Sequence, residues 1–232
     1  GVETPIEYIP KEQGRMARLC HKHGKPVVIA THMLESMIYS PIPTRAEVSD
    51  IAHAVGSDQA DAIMLSGETG VGSYPVECVR MMTSVAKAQE SGLPMGSRQD
   101  FLLKGTKERL IGAAVDLAQS MGGASIVVFT RDGFSAKVLA TLRPAHCRIF
   151  ACTDSSSVAR EMSLYWGVEP ILLSLGEHQM SEDFAVNEAV LQLQNRNLVK
   201  KGEDLVVLAK TSVGDAADGP YMVDSLQVRR FK

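Results

Sequence analysis

Long apolar runs are missing from this chain: none approaches the ~20 residues that a membrane-spanning helix needs, and no signal-peptide pattern stands at the N-terminus. Charge of one sign is missing as well. With 24 Lys and Arg interspersed among 27 Asp and Glu, the formal net charge is -3. That balance provides neither the basic stripe that nucleic acid requires nor a polybasic membrane anchor. Cysteine is scarce, with four residues at 20, 78, 147 and 152 and no C-x-x-C pair. A disulfide scaffold is thereby excluded, and buried free thiols in a reduced, cytoplasmic setting are expected. Histidine provides one short cluster, CHKHGK at 20–25, but His21 and His23 lie two residues apart. They would not share a helix face, so a helix end is expected there rather than a metal site. The expected partners are small molecules or protein subunits, with no nucleic acid and no membrane. The chain has no initiator Met and starts at Gly1 in what reads as a loop, as in a trimmed piece of a longer protein.

What is present is enough apolar residue, 45% of 232, to bury one large core or two modest ones, and two domains are expected. Residues 1–93 read as two consecutive strand-then-helix units. Lys25-Pro26 punctuates the start of a strand at 27–31, and a helix is expected from about Leu34 until Pro41 and Pro43 forbid its continuation. The stretch TRAEVSDIAHAVG opens with a capping box, Thr44 and Glu47, and Val48, Ile51, Ala52 and Val55 then form one apolar stripe. A second strand, DAIML at 61–65, ends in SGETGVGSYP, and a helix follows from about Pro75 to Glu90. Both strands are near-continuously apolar, as parallel strands covered on both faces are. Each delivers polar residues at its carboxyl end, where barrels and open α/β sheets bind ligands. Thr31 and the run Ser66-Gly67-Glu68-Thr69 would therefore meet over one pocket.

The Gly-, Ser- and Pro-rich stretch SGLPMGSRQD, at 91–100, marks a boundary, and a second domain is expected over 97–232. Its reading alternates: helix 106–121, strand SIVVFT, helix 134–142, strand CRIFACT, helix 156–166, strand PILLSL, helix 182–199, strand DLVVLAK. Such alternation predicts an open, mostly parallel α/β sheet with helices on both sides. A last strand around SLQVRRF alternates apolar and polar residues and is read as an edge, with an antiparallel course as one option. Tyr165 and Trp166 are read as core beside Val158 and Met162, and Arg229-Arg230 as a solvated or interface edge. Lys200 and Lys201 are read as the basic close of a helix before Gly202.

A threonine after a strand has two readings, as the cap of the next helix or as part of a site, and a lone Ser-Gly-Glu turn is equally open. Two hydroxyls and a carboxylate converging on neighbouring strand ends can relay a proton to or from a bound intermediate. The segment KPVVIATHMLESMIYSPIPTRAEVSDIAHAV, followed by DAIMLSGET and GSYPVE, closely resembles the seventh and eighth barrel units of the pyruvate kinases. The resemblance is strong over residues 1–93 and looser beyond, where it lies mainly in the order of elements. It implies a fold, the C-terminal part of a (β/α)8 barrel followed by an α/β domain for regulation and oligomerisation. It also implies an activity, glycolytic phosphoryl transfer from phosphoenolpyruvate to ADP giving pyruvate and ATP, with Mg2+ or Mn2+ and K+ as cofactors. By the same resemblance, Thr31 is the active-site threonine that protonates the enolate or orders the water that does so. Ser66 and Glu68 extend that relay, while Thr44, Arg45 and Glu47 support the pocket near a subunit contact of a homotetramer. His32 stands where the family usually carries glutamine. GVETP at 1–5 looks like the continuation of the sixth-strand motif. The resemblance thus puts the catalytic lysine, the carboxylate metal ligands, the monovalent-cation site and most of the nucleotide site upstream. No metal ligand is expected in this chain, and the chain alone is expected to be inactive.

FTRDGFSAK, at 129–137, joins a strand end, a Gly turn and a Ser at a helix start, the geometry of an anion site built from backbone N–H groups. The resemblance implies that such a loop often holds a phosphate of a sugar-phosphate activator, with Thr130, Gly133 and Ser135 as its framework. Asp132 stands where phosphate-binding members commonly carry a hydroxyl, and Asp215 and Asp218 add negative charge in TSVGDAADGPY. Three readings stay open: a bisphosphate activator, a monophosphate or nucleotide effector, and a plain βα turn. The alternative to a catalytic fragment is a non-catalytic effector-binding and subunit-assembly module.

Overall fold

The computed structural model describes residues 5–30, 32–90, 103–173, 182–213 and 221–230. The chain divides into two compact units, Gly1–Pro94 and Met95–Lys232. No helix among the described residues is long and apolar enough to cross a membrane.

In the first unit, α1 (Ile9–Lys22) leads to β1 (Val28–Ile29), and α2 (Arg45–Gly56) leads to β2 (Ala62–Ile63). A single helical turn, α3 (Gly67–Gly70), and a 16-residue helix, α4 (Pro75–Glu90), follow. The two strands pair in parallel, Val28 with Ala62 and Ile29 with Ile63. Their start is pinned by a reciprocal pair of bonds: the Val27 N–H donates to Asp61 Oδ2 at 2.8 Å, and the Asp61 N–H donates to the Val27 carbonyl at 2.8 Å. Ile29, Leu34, Met37, Ile51, Cys78 and Met82 form the apolar cluster beneath them. Thr44 caps α2, with Glu47 completing the capping box. His21 is buried on α1 while His23 ends that helix.

One expected helix is not formed. From Glu35 to Ile38 there is a single 3-10 turn in place of the helix read from Leu34 to Pro41. Leu34 lies outside the helical region at φ -142° and ψ 41°, and Pro41 has no N–H to continue a ladder, so a single turn fits between them. The Leu34 and Ser36 N–H groups, which a first turn leaves unpaired, go to the Glu68 and Glu47 carboxylates. The turn instead drops Leu34 and Met37, both fully buried, into the core.

The second unit is a five-stranded sheet in the order β5-β4-β3-β6-β7. Its elements are α5 (Thr106–Ser120), β3 (Ser125–Phe129), α6 (Phe134–Leu142), β4 (Ile149–Thr153), α7 (Ser156–Met162), β5 (Val168–Leu172), α8 (Glu182–Asn195), β6 (Asp204–Val213) and β7 (Tyr221–Arg230). Four strands run parallel, and β7 lies antiparallel on the edge beside β6. Period-two side-chain alternation distributes each strand between two cores. Ile126, Val128, Ile149, Ala151, Val206 and Leu208 join the helices α5, α6 and α7 in one cluster. Val127, Phe150, Cys152, Leu205 and Val207 join α8 in the other. Burial on both faces explains why β3, β4 and residues 205–209 of β6 are almost continuously apolar.

Three local readings change. The helix α7 stops at Met162, not 166, and the Arg143 guanidinium stacks 4.3 Å from the centre of the half-buried Trp166 ring. Tyr165 does pack against the core, with its hydroxyl donating to Glu161. Helix α8 ends at Asn195, so Lys200 and Lys201 lie in the turn before β6 rather than at a helix end, and Gly202 takes a φ of 88° there. Asp215 and Asp218 lie outside the described residues.

Candidate active site

Parallel pairing of β1 and β2 puts the residues after both strands at one edge of the first unit. Thr31 follows β1 in sequence and lies outside the described residues. Ser66 follows β2, is exposed, and does not use its side chain to cap α3. Glu68, two residues on, is buried at 2% exposure. Both of its carboxylate oxygens are engaged: Oε1 accepts the Leu34 N–H at 3.1 Å and Oε2 the Ser66 N–H at 2.7 Å. Burial pushes its carboxyl up, but N–H bonds from its own backbone, from Ser66 and from Leu34, together with the charge of His32, bring it below the ordinary value. A side chain at Gly72 would run into the Glu68 carbonyl, so the turn that follows α3 needs glycine there.

Glu47 plays a matching part on the other side of the turn. Its Oε1 accepts the Ser36 N–H at 2.7 Å, and its Oε2 accepts the Ser36 hydroxyl at 2.6 Å, the Thr44 N–H at 2.7 Å and the Thr44 hydroxyl at 2.8 Å. Burial raises this group too, and the bonds from Ser36 and Thr44 outweigh it, so its pKa lies below the ordinary value. Thr44 and Arg45 themselves are exposed. His32, in the left-handed region at φ 53°, has Nδ1 2.7 Å from Glu35 Oε2 at the surface. On α4, burial and the nearby carboxylates Glu68, Glu77 and Glu47 raise the Cys78 thiol, which stays protonated.

The capping box made the Thr44–Glu47 pair readable, but the second use of Glu47, on Ser36 at a separation of 11 residues, has no local signal. Likewise, Glu68 reaches Leu34 across 34 residues. Each oxygen of both carboxylates accepts at least one N–H or O–H donor. No group of three His, Cys, Asp or Glu that could hold a metal occurs among the described residues.

In the second unit, Gly133 takes φ 75° at the start of α6, and Thr130 and Ser135 are buried. Within this loop the donors are met locally. Asp132 Oδ1 accepts the Phe134 N–H at 3.1 Å and the Thr130 hydroxyl at 3.3 Å. The Phe134 bond first, then its own N–H, the Lys107 charge and the Thr130 hydroxyl, hold this carboxyl below its ordinary value against the opposing effect of burial.

Comparison with known proteins decides the family. The sequence model described as "Pyruvate kinase, barrel domain" matches residues 1–79, and "Pyruvate kinase, alpha/beta domain" matches residues 108–219. The chain belongs to the pyruvate kinase family. Pyruvate kinase isozyme G, chloroplastic, of Ricinus communis is 40% identical over 210 residues, which is 90% of this chain and 49% of that protein. The pyruvate kinase of Borreliella burgdorferi is 38% identical over 212 residues, 90% of this chain and 44% of its own length. Plastidial pyruvate kinase 2 of Arabidopsis thaliana is 40% identical over 211 residues, 90% of this chain and 36% of its own length. The chain thus spans less than half the length of these relatives. Its first unit corresponds to part of the family's barrel and its second to the α/β domain, in agreement with the sequence reading of the fold class.

Proposed function

We propose that the complete protein transfers the phosphoryl group of phosphoenolpyruvate to ADP, giving pyruvate and ATP. The P–O bond of the phosphoenol breaks, an oxygen of the ADP β-phosphate bonds to phosphorus, and the enolate left behind takes a proton at its methylene carbon. In this reading the segment described here serves the last of those steps, with Thr31 and Ser66 at the strand ends delivering the proton or ordering the water that does. The observation that carries it is the parallel β1–β2 pair with Ser66 exposed at its carboxyl end, in a chain of this family. Mg2+ or Mn2+ and K+ belong to the proposal as cofactors that neutralise phosphoryl charge, held by residues other than the carboxylates described here. The chain of 232 residues by itself is proposed to be inactive.

The second unit is proposed to regulate and to assemble a homotetramer, with the Thr130, Gly133 and Ser135 loop as the place for an effector. The phosphorylated effector proposed for it, a sugar bisphosphate, a monophosphate or a nucleotide, has the Asp132 carboxylate to offset, since like charges at ~4 Å repel by about 4 kcal/mol near a protein surface. A cytoplasmic location is also proposed, supported by four free cysteines; some relatives carry chloroplastic or plastidial in their names. The test is pyruvate release by the full-length protein. Thr31→Ala and Ser66→Ala should each slow it by about 100-fold with the melting temperature unchanged, and full activity in both would refute the assignment.

A further inference from the structure

We infer that Glu68 and Glu47 are positioning residues, two permanently charged struts that fix the turn after β1, and that the proton step proceeds without Glu68 gaining or losing a proton. The inference rests on the proposed reaction and gives Glu68 a different part from the relay role that the family resemblance implies.

Six donors define the struts. Glu68 accepts N–H bonds from Leu34 and Ser66, one on each oxygen, and so ties the turn after β1 to the end of β2. Glu47 accepts the N–H and hydroxyl of both Ser36 and Thr44, and so ties the middle of the same turn to the start of α2. A seventh bond, from the Ser73 N–H to the Ile38 carbonyl at 2.9 Å, closes the far end. Between these anchors Leu34 and Met37 are fully buried, so the turn cannot shift without disturbing the core. Protonating Glu68 would exchange two charge-assisted N–H bonds for neutral, weaker ones and add an O–H that needs an acceptor in a buried site. A group in that position is suited to stay charged, not to cycle. The ionisable neighbours are consistent with this. His32, from the turn, favours the charged form of Glu68, and the Cys78 thiol of α4 is held protonated by burial first and by the carboxylates around it second, so it offers no competing charge. The turn so held begins one residue after Thr31, and a small misplacement of a reacting group can cost about 100-fold in rate.

The experiment follows exchange of pyruvate methyl protons with deuterium from solvent, read by proton NMR across pH, in the full-length protein and its Glu68→Gln, Glu47→Gln and double variants. Amide hydrogen exchange over residues 32–38 is read in the same samples. Struts predict that each single variant lowers methyl exchange by about 10-fold to 100-fold and loosens the turn amides, while the inflections of the pH profile stay where they are. The double variant should lose less than the product of the two, because both carboxylates hold one turn. A pH profile that loses an inflection in Glu68→Gln, with turn amides still protected, would overturn the inference and make Glu68 a proton carrier. Wild-type methyl exchange and turn protection in Glu47→Gln would also overturn it, even if Glu68→Gln fails to fold. An unmodified protein that exchanges no methyl protons would instead refute the proposed reaction, and the amide measurement would still decide the struts.

Discussion

In the second unit a five-stranded sheet lies between two apolar clusters, and its strands of five to ten residues hold their own register. In the first unit the strands are two residues long, one apolar cluster lies beneath them, and the segment after β1 is anchored by two buried carboxylates. The contrast separates two ways of fixing a loop at a strand end. Apolar burial is non-directional and holds a layer, whereas hydrogen bonds to a charged acceptor fix particular atoms. The second unit has a carboxylate at a comparable place, Asp132 after β3, but it is exposed and closes only its own loop.

The comparison can be broken by substitution. Phe150→Ala, at a fully buried site in the second unit, should have the largest effect, a loss of about 3–5 kcal/mol, read from Trp166 fluorescence in denaturant. An equally large change in the amides of residues 32–38 would show that the two units are not held separately. Glu68→Leu strands the Leu34 and Ser66 N–H groups and should lower the stability of the first unit by about 3 kcal/mol, visible as faster amide exchange in the turn.

Acid should act on the same place. The folded-state pKa values of Glu47 and Glu68 are depressed below 4.5, so their contribution is complete above that value and is lost as pH falls through the folded values. Protection of the turn, corrected for intrinsic exchange, should therefore be flat near neutrality and collapse below 4.5, and loss on the alkaline side instead would contradict the struts. Asp132→Ala should cost at most about 1 kcal/mol, because water can replace its exposed carboxylate, and should change only the start of α6. Smallest of all, Arg230→Ala removes an exposed pair with Asp204 and should leave the denaturation midpoint unmoved.

Much of the architecture was legible because its causes are local. The capping box at Thr44 and Glu47, the unbroken apolar strands and the alternating edge strand each signal themselves within a few residues. The segment 35–38 reads as helix from its apolar spacing, whereas Leu34 takes a non-helical conformation with its N–H on Glu68, 34 residues away, which no periodicity encodes. The candidate site follows the same division. Ser66 could be read from its place at a strand end, and the Ser66 N–H on Glu68 Oε2 is local, while the engagement of Oε1 depends on a contact between two strand-and-helix units. Asp132 belongs with the local features, since its bonds to Thr130 and Phe134 span two residues each.

The most direct test is a site-resolved carbon NMR titration of the Glu68 side-chain carboxyl in the full-length protein, from about pH 3 to about pH 8. A midpoint below 4.5 is the result expected of a group that stays charged and holds the turn. A midpoint near neutrality would contradict the account and return Glu68 to the proton relay.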